Sequence, residues 1–278
     1  MDINGATQII GFFGSTYKTS KMYTMYNAAI RALDLNFIYI PFCVNDLQKA
    51  VEGVRNLGVS AIGVTIPYKV EIIQYLDELD FTAIKVGAVN VVINRNGRLI
   101  GYNTDGQGAV QALREKTPLQ GKNVCILGAG GAARAIAYAI NDEGCHITIL
   151  NRTESAAQQL AQDIGKDADW GDYNSLPIAL KDEIILVNTT PVGMQGSGQE
   201  GTSLIPPDLL KSGMVVMDIV TNPKDTRLII EATMKGCTVV YGYRMLLWQG
   251  VHKFDLYTGV QPPVSIMERA MEDSAKLS

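Results

Sequence analysis

Two short segments of the sequence combine residue types that could move a proton. Lys69 follows the run Gly63-Val64-Thr65-Ile66-Pro67-Tyr68, just beyond the end of a predicted strand. Asp105 follows Asn103-Thr104, where another predicted strand leads into a helix. Because ligands collect at the carboxyl ends of strands in open α/β sheets, we expect both side chains near a bound hydroxyl group. A lysine whose pKa is lowered by partial burial could accept the hydroxyl proton during oxidation of an alcohol.

Residue type alone leaves the alternative open that Asp105 caps a helix and that Lys69 is a surface residue. A glycine-rich turn strengthens the case for redox chemistry. The strand Val124 to Leu127 runs directly into Gly128-Ala129-Gly130-Gly131-Ala132-Ala133, the pattern G-x-G-x-x-A before a helix. Gly128 permits a tight turn, Gly130 lets the backbone approach a pyrophosphate, and N–H groups at the helix start bind phosphate. The sequence therefore predicts a dinucleotide-binding unit.

The end of the next strand distinguishes NADP from NAD. That strand ends at Leu150, about where an NAD-binding unit carries Asp or Glu for the ribose hydroxyls. Here Asn151-Arg152-Thr153 follows instead. Arg152 and Thr153 offer a cation and a hydroxyl, which suit a 2′-phosphate. NADP is therefore favoured over NAD, although Glu154 leaves the ribose role open.

Alternating strand and helix patterns position these groups. In the first hundred residues, strands such as Gln8–Phe13 and Val59–Ile66 alternate with helices, one of which begins at a capping Asn45. Asn96-Gly97 between two strand-like runs predicts an antiparallel hairpin. The alternation restarts after Thr117, and helices follow from Tyr243 onward. This order favours an α/β fold with parallel sheets in two domains.

Composition narrows the classes of function. The chain has 278 residues, a net charge of −4 and no basic tract, which argues against nucleic-acid binding. It has no apolar run of about 18 residues, so we expect no membrane partner. The first residues lack a secretory pattern and the four cysteines form no Cys-x-x-Cys pair, which predicts a cytoplasmic protein. With only His146 and His252, we expect no metal site. Monomer and homodimer both remain open.

Taken together, the motifs resemble the shikimate dehydrogenase family over nearly the whole chain. The matching segments follow the family's order. They are Val64-Thr65-Ile66-Pro67-Tyr68-Lys69, Gly87-Ala88-Val89-Asn90, Gly101-Tyr102-Asn103-Thr104-Asp105, Gly128 to Ala133, Asn151-Arg152-Thr153, Asn188-Thr189-Thr190-Pro191-Val192-Gly193-Met194, Asp218-Ile219-Val220 and Met245-Leu246-Leu247-Trp248-Gln249-Gly250.

The resemblance implies a substrate-binding α/β domain at 1–105, a Rossmann-type doubly wound NADP-binding domain at 106–242, and C-terminal helices at 243–278 that return to the substrate domain. It implies NADP-linked interconversion of 3-dehydroshikimate and shikimate, with Lys69 as the catalytic lysine and Asp105 as its partner. The implied substrate-binding residues include Thr65, Asn90 and Gln249. The implied cofactor-binding residues are Gly128, Ala129, Gly130, Gly131, Ala132, Asn151, Arg152, Thr153, Ile219 and Gly242.

The match fails on the substrate side. Of two serines that hold the substrate carboxylate in the family, Ser20 matches the first, but Met22 replaces the second. Gly63 replaces an asparagine, and Thr221 replaces a substrate-contacting tyrosine. Ser20, Met22 and Thr221 therefore stay candidate substrate-binding positions with altered chemistry. Three hypotheses follow: a shikimate dehydrogenase with an altered pocket, a relative acting on quinate or another cyclic hydroxy acid, and a non-catalytic NADP-binding module.

Overall fold

The computed structural model describes residues 3–15, 21–166, 168–181 and 185–275. The elements up to Arg114 are β1 (Gln8–Gly14), α1 (Lys21–Ala32), β2 (Phe37–Cys43), α2 (Leu47–Asn56), β3 (Ala61–Val64), α3 (Tyr68–Glu71), a 3-10 helix (Ile72–Tyr75), β4 (Glu78–Leu79), α4 (Phe81–Val86), β5 (Val91–Arg95), β6 (Arg98–Tyr102) and α5 (Asp105–Arg114).

The elements that follow are β7 (Asn123–Leu127), α6 (Gly131–Asp142), β8 (His146–Leu150), α7 (Glu154–Ile164), β9 (Ala168–Gly171), a 3-10 helix (Tyr173–Ser175), α8 (Leu176–Ala179), β10 (Ile185–Asn188), a 3-10 helix (Pro207–Leu209), β11 (Val215–Asp218), α9 (Arg227–Met234), β12 (Thr238–Tyr241), α10 (Gly242–Thr258) and α11 (Val264–Ala275). The chain forms two compact units. The first comprises 1–104 and 249–278, and the second comprises 105–248.

The first unit is built on a mixed sheet. In the part of the chain that the structure describes, its strand order is β2-β1-β3-β5-β6-β4. β1 pairs in parallel with β2 and β3, whereas β5 runs antiparallel to β3 and β6. The predicted hairpin is confirmed, since Asn96 (φ 54°) and Gly97 (φ 90°) both adopt the positive φ that a tight turn between twisted strands requires.

The start of α2 was predicted wrongly. The N-terminal cap is Asp46 rather than Asn45, because the cap is the extended residue directly before the first helical one. The Asp46 carboxylate accepts a hydrogen bond from the Lys49 N–H at 3.1 Å. The short elements between Pro67 and Gly87 were not predicted, nor were β9 and α9.

The second unit contains a parallel sheet. The described strands follow the order β12-β11-β10-β7-β8-β9, and each neighbouring pair is parallel. Starting from β7, the chain first adds strands on one side and then returns to add β10, β11 and β12 on the other. This is the doubly wound Rossmann order, which confirms the predicted fold class. The order reverses between β7 and β10, where such sheets bind ligands.

Asp77 links α2 to the first sheet. Its Oδ2 accepts hydrogen bonds from Arg55 Nη1 at 2.6 Å and from the Leu99 N–H at 2.6 Å. The Arg55 bond is the main cause that lowers the pKa of Asp77 below its ordinary value of 3.8. The pKa of Asp77 is lower in the folded protein than in the unfolded chain. The ionised carboxylate therefore stabilises the fold at pH values above its ordinary pKa. This stabilisation is lost as the pH falls through the lowered pKa.

We therefore expect Asp77→Asn to reduce the free energy of unfolding by about 1 kcal/mol at pH 7. The value is modest because the Asp77 side chain is 40% exposed. Urea denaturation of both proteins at pH 7 and pH 3 measures the difference, which should narrow at the lower pH. Glu78→Gln is the matched control, because its pair with Arg98 is more exposed and should contribute less than about 0.5 kcal/mol. Equal effects of the two substitutions would show that the Arg55 interaction is unimportant.

Candidate active site

Backbone hydrogen bonds bring three predicted substrate-side residues together at one edge of the first sheet. The Val64 N–H, at the end of β3, donates to the Asn90 carbonyl at 3.0 Å. The Val89 N–H donates to the Lys69 carbonyl at 2.7 Å, so the first turn of α3 is tied to the segment before β5. Thr65, Lys69 and Asn90 therefore lie on adjacent stretches of backbone.

Thr104 extends this arrangement to α10. Its N–H donates to Asn90 Oδ1 at 3.0 Å, and its hydroxyl accepts from Asn90 Nδ2 at 3.2 Å. The Thr104 hydroxyl also lies 3.3 Å from the Gln249 carbonyl, which it contacts as a donor. Asn90 is fully buried, so these bonds fix its amide orientation. Sequence reasoning did not assign Thr104 a role, although it lies in the segment Asn103-Thr104-Asp105.

The two predicted proton-handling residues lie in different compact units. Lys69 is half-buried in α3 of the first unit. Asp105 is buried and is the first residue of α5, which belongs to the second unit. A carboxylate in the first helical turn also interacts favourably with the helix dipole. Asp105 is thus the first helical residue of α5 rather than the cap residue before it, so the alternative that it caps a helix is not borne out, and its chemical role stays a prediction.

The remaining substrate-side positions differ in accessibility. Ser20 lies outside the described residues. Met22, on the first turn of α1, is only 6% exposed and packs in the interior. Thr221 is exposed in the segment after β11. Met22 therefore brings a buried thioether, and no hydroxyl, to the helix start where the family has its second serine.

The glycine turn after β7 fits a dinucleotide. Gly128 has φ +106°, and a Cβ there would lie 2.6 Å from Thr189 Oγ1, which donates to the Leu127 carbonyl. By contrast, a Cβ on Gly130 or Gly131 would meet no atom within 4 Å. Gly130 precedes α6, and no side chain caps this helix within the described ranges. The N–H groups of its first turn and the open space beside them suit a pyrophosphate.

The end of β8 carries the groups predicted to read the ribose. Arg152 and Thr153 are exposed, and Asn151 Nδ2 donates to the Thr153 carbonyl at 2.9 Å. Thr153 is the N-terminal cap residue of α7. The exposed guanidinium at this strand end suits a phosphate, and the donor set therefore fits NADP.

A buried network that the sequence did not predict joins the ends of β10 and β11. Asp218 is fully buried and accepts hydrogen bonds from Asn188 Nδ2 at 3.0 Å, the Val220 N–H at 3.1 Å and the Thr226 hydroxyl at 2.6 Å. Burial raises the pKa of Asp218, and these three bonds oppose that increase. The network fixes the backbone that leads into Ile219.

Gly242 packs directly against this backbone. A Cβ at position 242 would lie 2.4 Å from the Val220 carbonyl oxygen and 2.6 Å from that of Ile219. Only glycine therefore allows α10 to begin so close to the segment after β11. Ile219 itself is half-buried. The positions of Gly242 and Ile219 thus depend on this close packing. A sequence motif identifies the two residues but does not reveal the contact between them.

Three domains of one known protein family match successive parts of the chain. The shikimate dehydrogenase substrate-binding domain matches residues 12–92, and the shikimate/quinate 5-dehydrogenase domain matches residues 111–235. The shikimate 5′-dehydrogenase C-terminal domain matches residues 242–272. The chain belongs to the shikimate dehydrogenase family. The family resemblance inferred from the sequence motifs is thereby confirmed.

Individual family members match along almost their whole length. The shikimate dehydrogenase (NADP(+)) of Methanothermobacter thermautotrophicus is 43% identical, over 97% of this chain and 98% of its own. A shikimate dehydrogenase crystallised with NADP⁺ superposes with a TM-score of 0.91 at 36% identity, covering 98% and 97% of the two chains. The Listeria monocytogenes shikimate 5-dehydrogenase, crystallised with shikimate and NAD, gives 0.90 at 35% identity and covers 97% and 98%.

In the described residues, no helix is both long and apolar enough to cross a membrane. These residues also hold no group of three or more histidine, cysteine, aspartate or glutamate side chains that could bind a metal ion.

Proposed function

We propose that this protein is an NADP-dependent dehydrogenase that interconverts 3-dehydroshikimate and shikimate. The observation that carries this proposal is the joining of Thr65, Lys69 and Asn90 at one sheet edge by the hydrogen bonds of Val64 and Val89. The full-length similarity to NADP-dependent shikimate dehydrogenases supports the same reaction. The test is formation of NADPH from NADP⁺ and shikimate by the purified protein.

Lys69 and Asp105 handle the proton in this proposal. When bound, NADP supplies the hydride acceptor for the alcohol and the hydride donor for the ketone. The Lys69 amine accepts the hydroxyl proton during oxidation and returns it during reduction. The Asp105 carboxylate stabilises the ammonium that forms on Lys69 once the amine has taken this proton.

Other residues of the first unit bind and orient the acid. Thr65 and Asn90 present a hydroxyl and an amide at the edge that carries Lys69, and Gln249 presents a second amide. The Thr104 bonds fix the Asn90 amide, so that its orientation does not have to be selected when substrate binds. We propose that the first unit is the substrate-binding domain and the second the NADP-binding domain.

The cofactor-binding residues follow the second sheet. Gly128, Ala129, Gly130, Gly131 and Ala132 form the phosphate turn. Asn151, Arg152 and Thr153 bind the adenosine ribose and its phosphate. Ile219 and Gly242 lie beside the reacting end of the cofactor.

Arg152→Ala should raise the KM for NADP roughly 10- to 100-fold, because the substitution removes one charge-assisted hydrogen bond or ion pair to the 2′-phosphate. The KM for NAD should change less than threefold, because NAD lacks the 2′-phosphate. Steady-state kinetics with both cofactors measures this ratio. Arg31→Ala removes an exposed arginine of α1 and serves as the control. An unchanged KM for NADP in Arg152→Ala would assign phosphate recognition elsewhere.

The departures on the substrate side favour a second candidate substrate. Met22 provides no hydroxyl, and Gly63 and Thr221 alter two further polar positions. Quinate or another cyclic hydroxy acid is therefore the alternative substrate, and assays of shikimate and quinate side by side, each with NADP and NAD, decide between them. Tight NADP binding without oxidation of any acid would favour the third hypothesis, a non-catalytic binding module.

We also propose a cytoplasmic location. The four cysteines, Cys43, Cys125, Cys145 and Cys237, are free thiols, and two of them are buried. Free thiols suit a reducing compartment.

A further inference from the structure

Four tyrosines from three elements converge on one face of β3. Tyr26 of α1 packs on Tyr39 of β2 with ring centroids 4.6 Å apart, and Tyr257 of α10 packs edge-on to Tyr26 at 5.7 Å. Tyr23, on the first turn of α1, lies 5.8 Å from Tyr39. These four residues are named the tyrosine cluster. The cluster occupies the interior of the first unit on the side where α1 and α10 pack.

The hydroxyls of the cluster fill the space that a side chain at position 63 would need. A Cβ on Gly63 would lie 2.9 Å from the Tyr257 hydroxyl and 3.2 Å from the Tyr39 hydroxyl. Gly63 lies within β3, paired with Phe12 of β1. The missing asparagine at this position is thus explained by steric exclusion, because phenol groups already occupy its place.

The buried phenols remain neutral. Burial raises the pKa of Tyr26, Tyr39 and Tyr257 well above the usual range, and nearby phenols add to this increase for Tyr39. The hydroxyls of Tyr26 and Tyr257 are fully buried and make no hydrogen bond to the residues described. Each is therefore a donor that no described side chain uses.

Tyr23 differs from the other three because it is half-buried. Its ring is held edge-on to Phe12 at 5.9 Å and against Tyr39, so its position is fixed by packing. It follows Met22, whose buried side chain brings no hydroxyl. Thr65 directly follows β3, two residues beyond Gly63, and its N–H donates to the Phe13 carbonyl at 3.2 Å, so the hydrogen bonding between β1 and β3 continues to Thr65. Tyr23 is thus the accessible donor of the cluster, which covers the β3 face leading to Thr65.

We propose that the Tyr23 hydroxyl binds the carboxylate of the substrate and replaces the hydroxyl missing at position 22. This inference rests on the proposed function, since it requires a carboxylic acid bound beside Thr65. Tyr39 acts as a positioning residue for the Tyr23 ring. A neutral phenol donor accommodates the negative charge without a cation, as hydroxyl groups commonly do for carboxylates.

The test compares Tyr23→Phe with Tyr26→Phe. Phenylalanine keeps both rings, so each variant loses only one hydroxyl. In Tyr23→Phe, we expect the KM for shikimate or quinate, whichever the wild type oxidises, to rise roughly 10- to 100-fold, the loss of one charge-assisted hydrogen bond. The kcat and the KM for NADP should stay within threefold. Tyr26→Phe should leave all three constants within threefold, because its hydroxyl is closed off from any ligand.

Calorimetric titration of each protein with shikimate and with quinate, in the presence of NADP⁺, provides a readout that does not depend on turnover. Tyr23→Phe should weaken acid binding by the same factor, with an unchanged melting temperature. Unchanged acid affinity in Tyr23→Phe overturns the inference, as does equal weakening in both variants, which would indicate a structural effect. A wild type that binds an acid but does not oxidise it would refute the proposed function alone. Absence of binding to either acid would overturn both.

Discussion

Lys69→Ala is expected to lower kcat for oxidation of the hydroxy acid by roughly 10²- to 10⁴-fold, the usual contribution of a positioned proton acceptor. Binding of NADP should be unchanged, because the cofactor turn lies in the other compact unit. The fold should also be unchanged, because the hydrogen bond that Lys69 makes to the Val89 N–H uses its main-chain carbonyl. The substitution therefore removes the amine and keeps the backbone link to the segment that carries Asn90.

Single-turnover and steady-state kinetics with saturating acid measure this loss. Asp105→Asn should also lower kcat, because an amide cannot favour a charged amine as a carboxylate does. Lys49→Ala removes a lysine that is 81% exposed on α2 and should leave kcat unchanged. If Lys69→Ala retains more than a tenth of the wild-type kcat while the melting temperature is unchanged, another group takes the proton.

Long helices could be predicted closely from the sequence, because their apolar periodicity and the residues at their ends indicate the same bounds. The sequence patterns predict helices from Asp105 to Arg114 and from Glu154 to Ile164, and α5 and α7 have these bounds. The helix α4 has six residues and was missed, although Asp80 caps it and Gly87 ends it. Its apolar pattern is too short to show a helical period. β9 was missed for the same reason, since four residues at the edge of a sheet carry little alternation.

The candidate site shows the same contrast between local and long-range information. The turn at Gly128 follows from consecutive residues, so its strand and helix could be placed from the sequence. The bonds of Thr104 to Asn90 and Gln249 join residues far apart in the chain. The acceptor role of Asp218 between Asn188 and Thr226 likewise depends on how β10 and β11 align. A sequence pattern does not contain this alignment.

Gly63 was recognised from the sequence only as a departure from the family. The structure gives the physical reason, which lies in residues distant in sequence: the Tyr257 and Tyr39 hydroxyls occupy the position of its Cβ. Such a compensation between β2, β3 and α10 has no local signature. The sequence therefore predicted the cofactor-binding turn, which is local, better than the substrate-binding pocket, which depends on contacts between distant residues.

Gly130→Val should weaken NADP binding at least roughly 100-fold, with little change in stability. The space beside Gly130 is open, since a Cβ there meets no atom within 4 Å, and its φ of −81° is allowed for any residue. The protein therefore gains nothing in packing from glycine at this position. A valine side chain would instead occupy the volume through which a pyrophosphate approaches the first turn of α6, and would remove two or more charge-assisted hydrogen bonds of about 1.5 kcal/mol each.

Gly128→Ala is the contrasting variant, because it combines an unfavourable positive φ with a Cβ placed 2.6 Å from Thr189 Oγ1. It should lower the free energy of unfolding by about 1–3 kcal/mol, whereas Gly130→Val should cost less than about 1 kcal/mol as a poorer cap residue. Calorimetric titration with NADP⁺ and urea denaturation of both variants separate binding from stability. Wild-type NADP affinity in Gly130→Val would show that the phosphates do not pass over this glycine. The phosphate-binding role of the α6 N-terminus would then have to be abandoned.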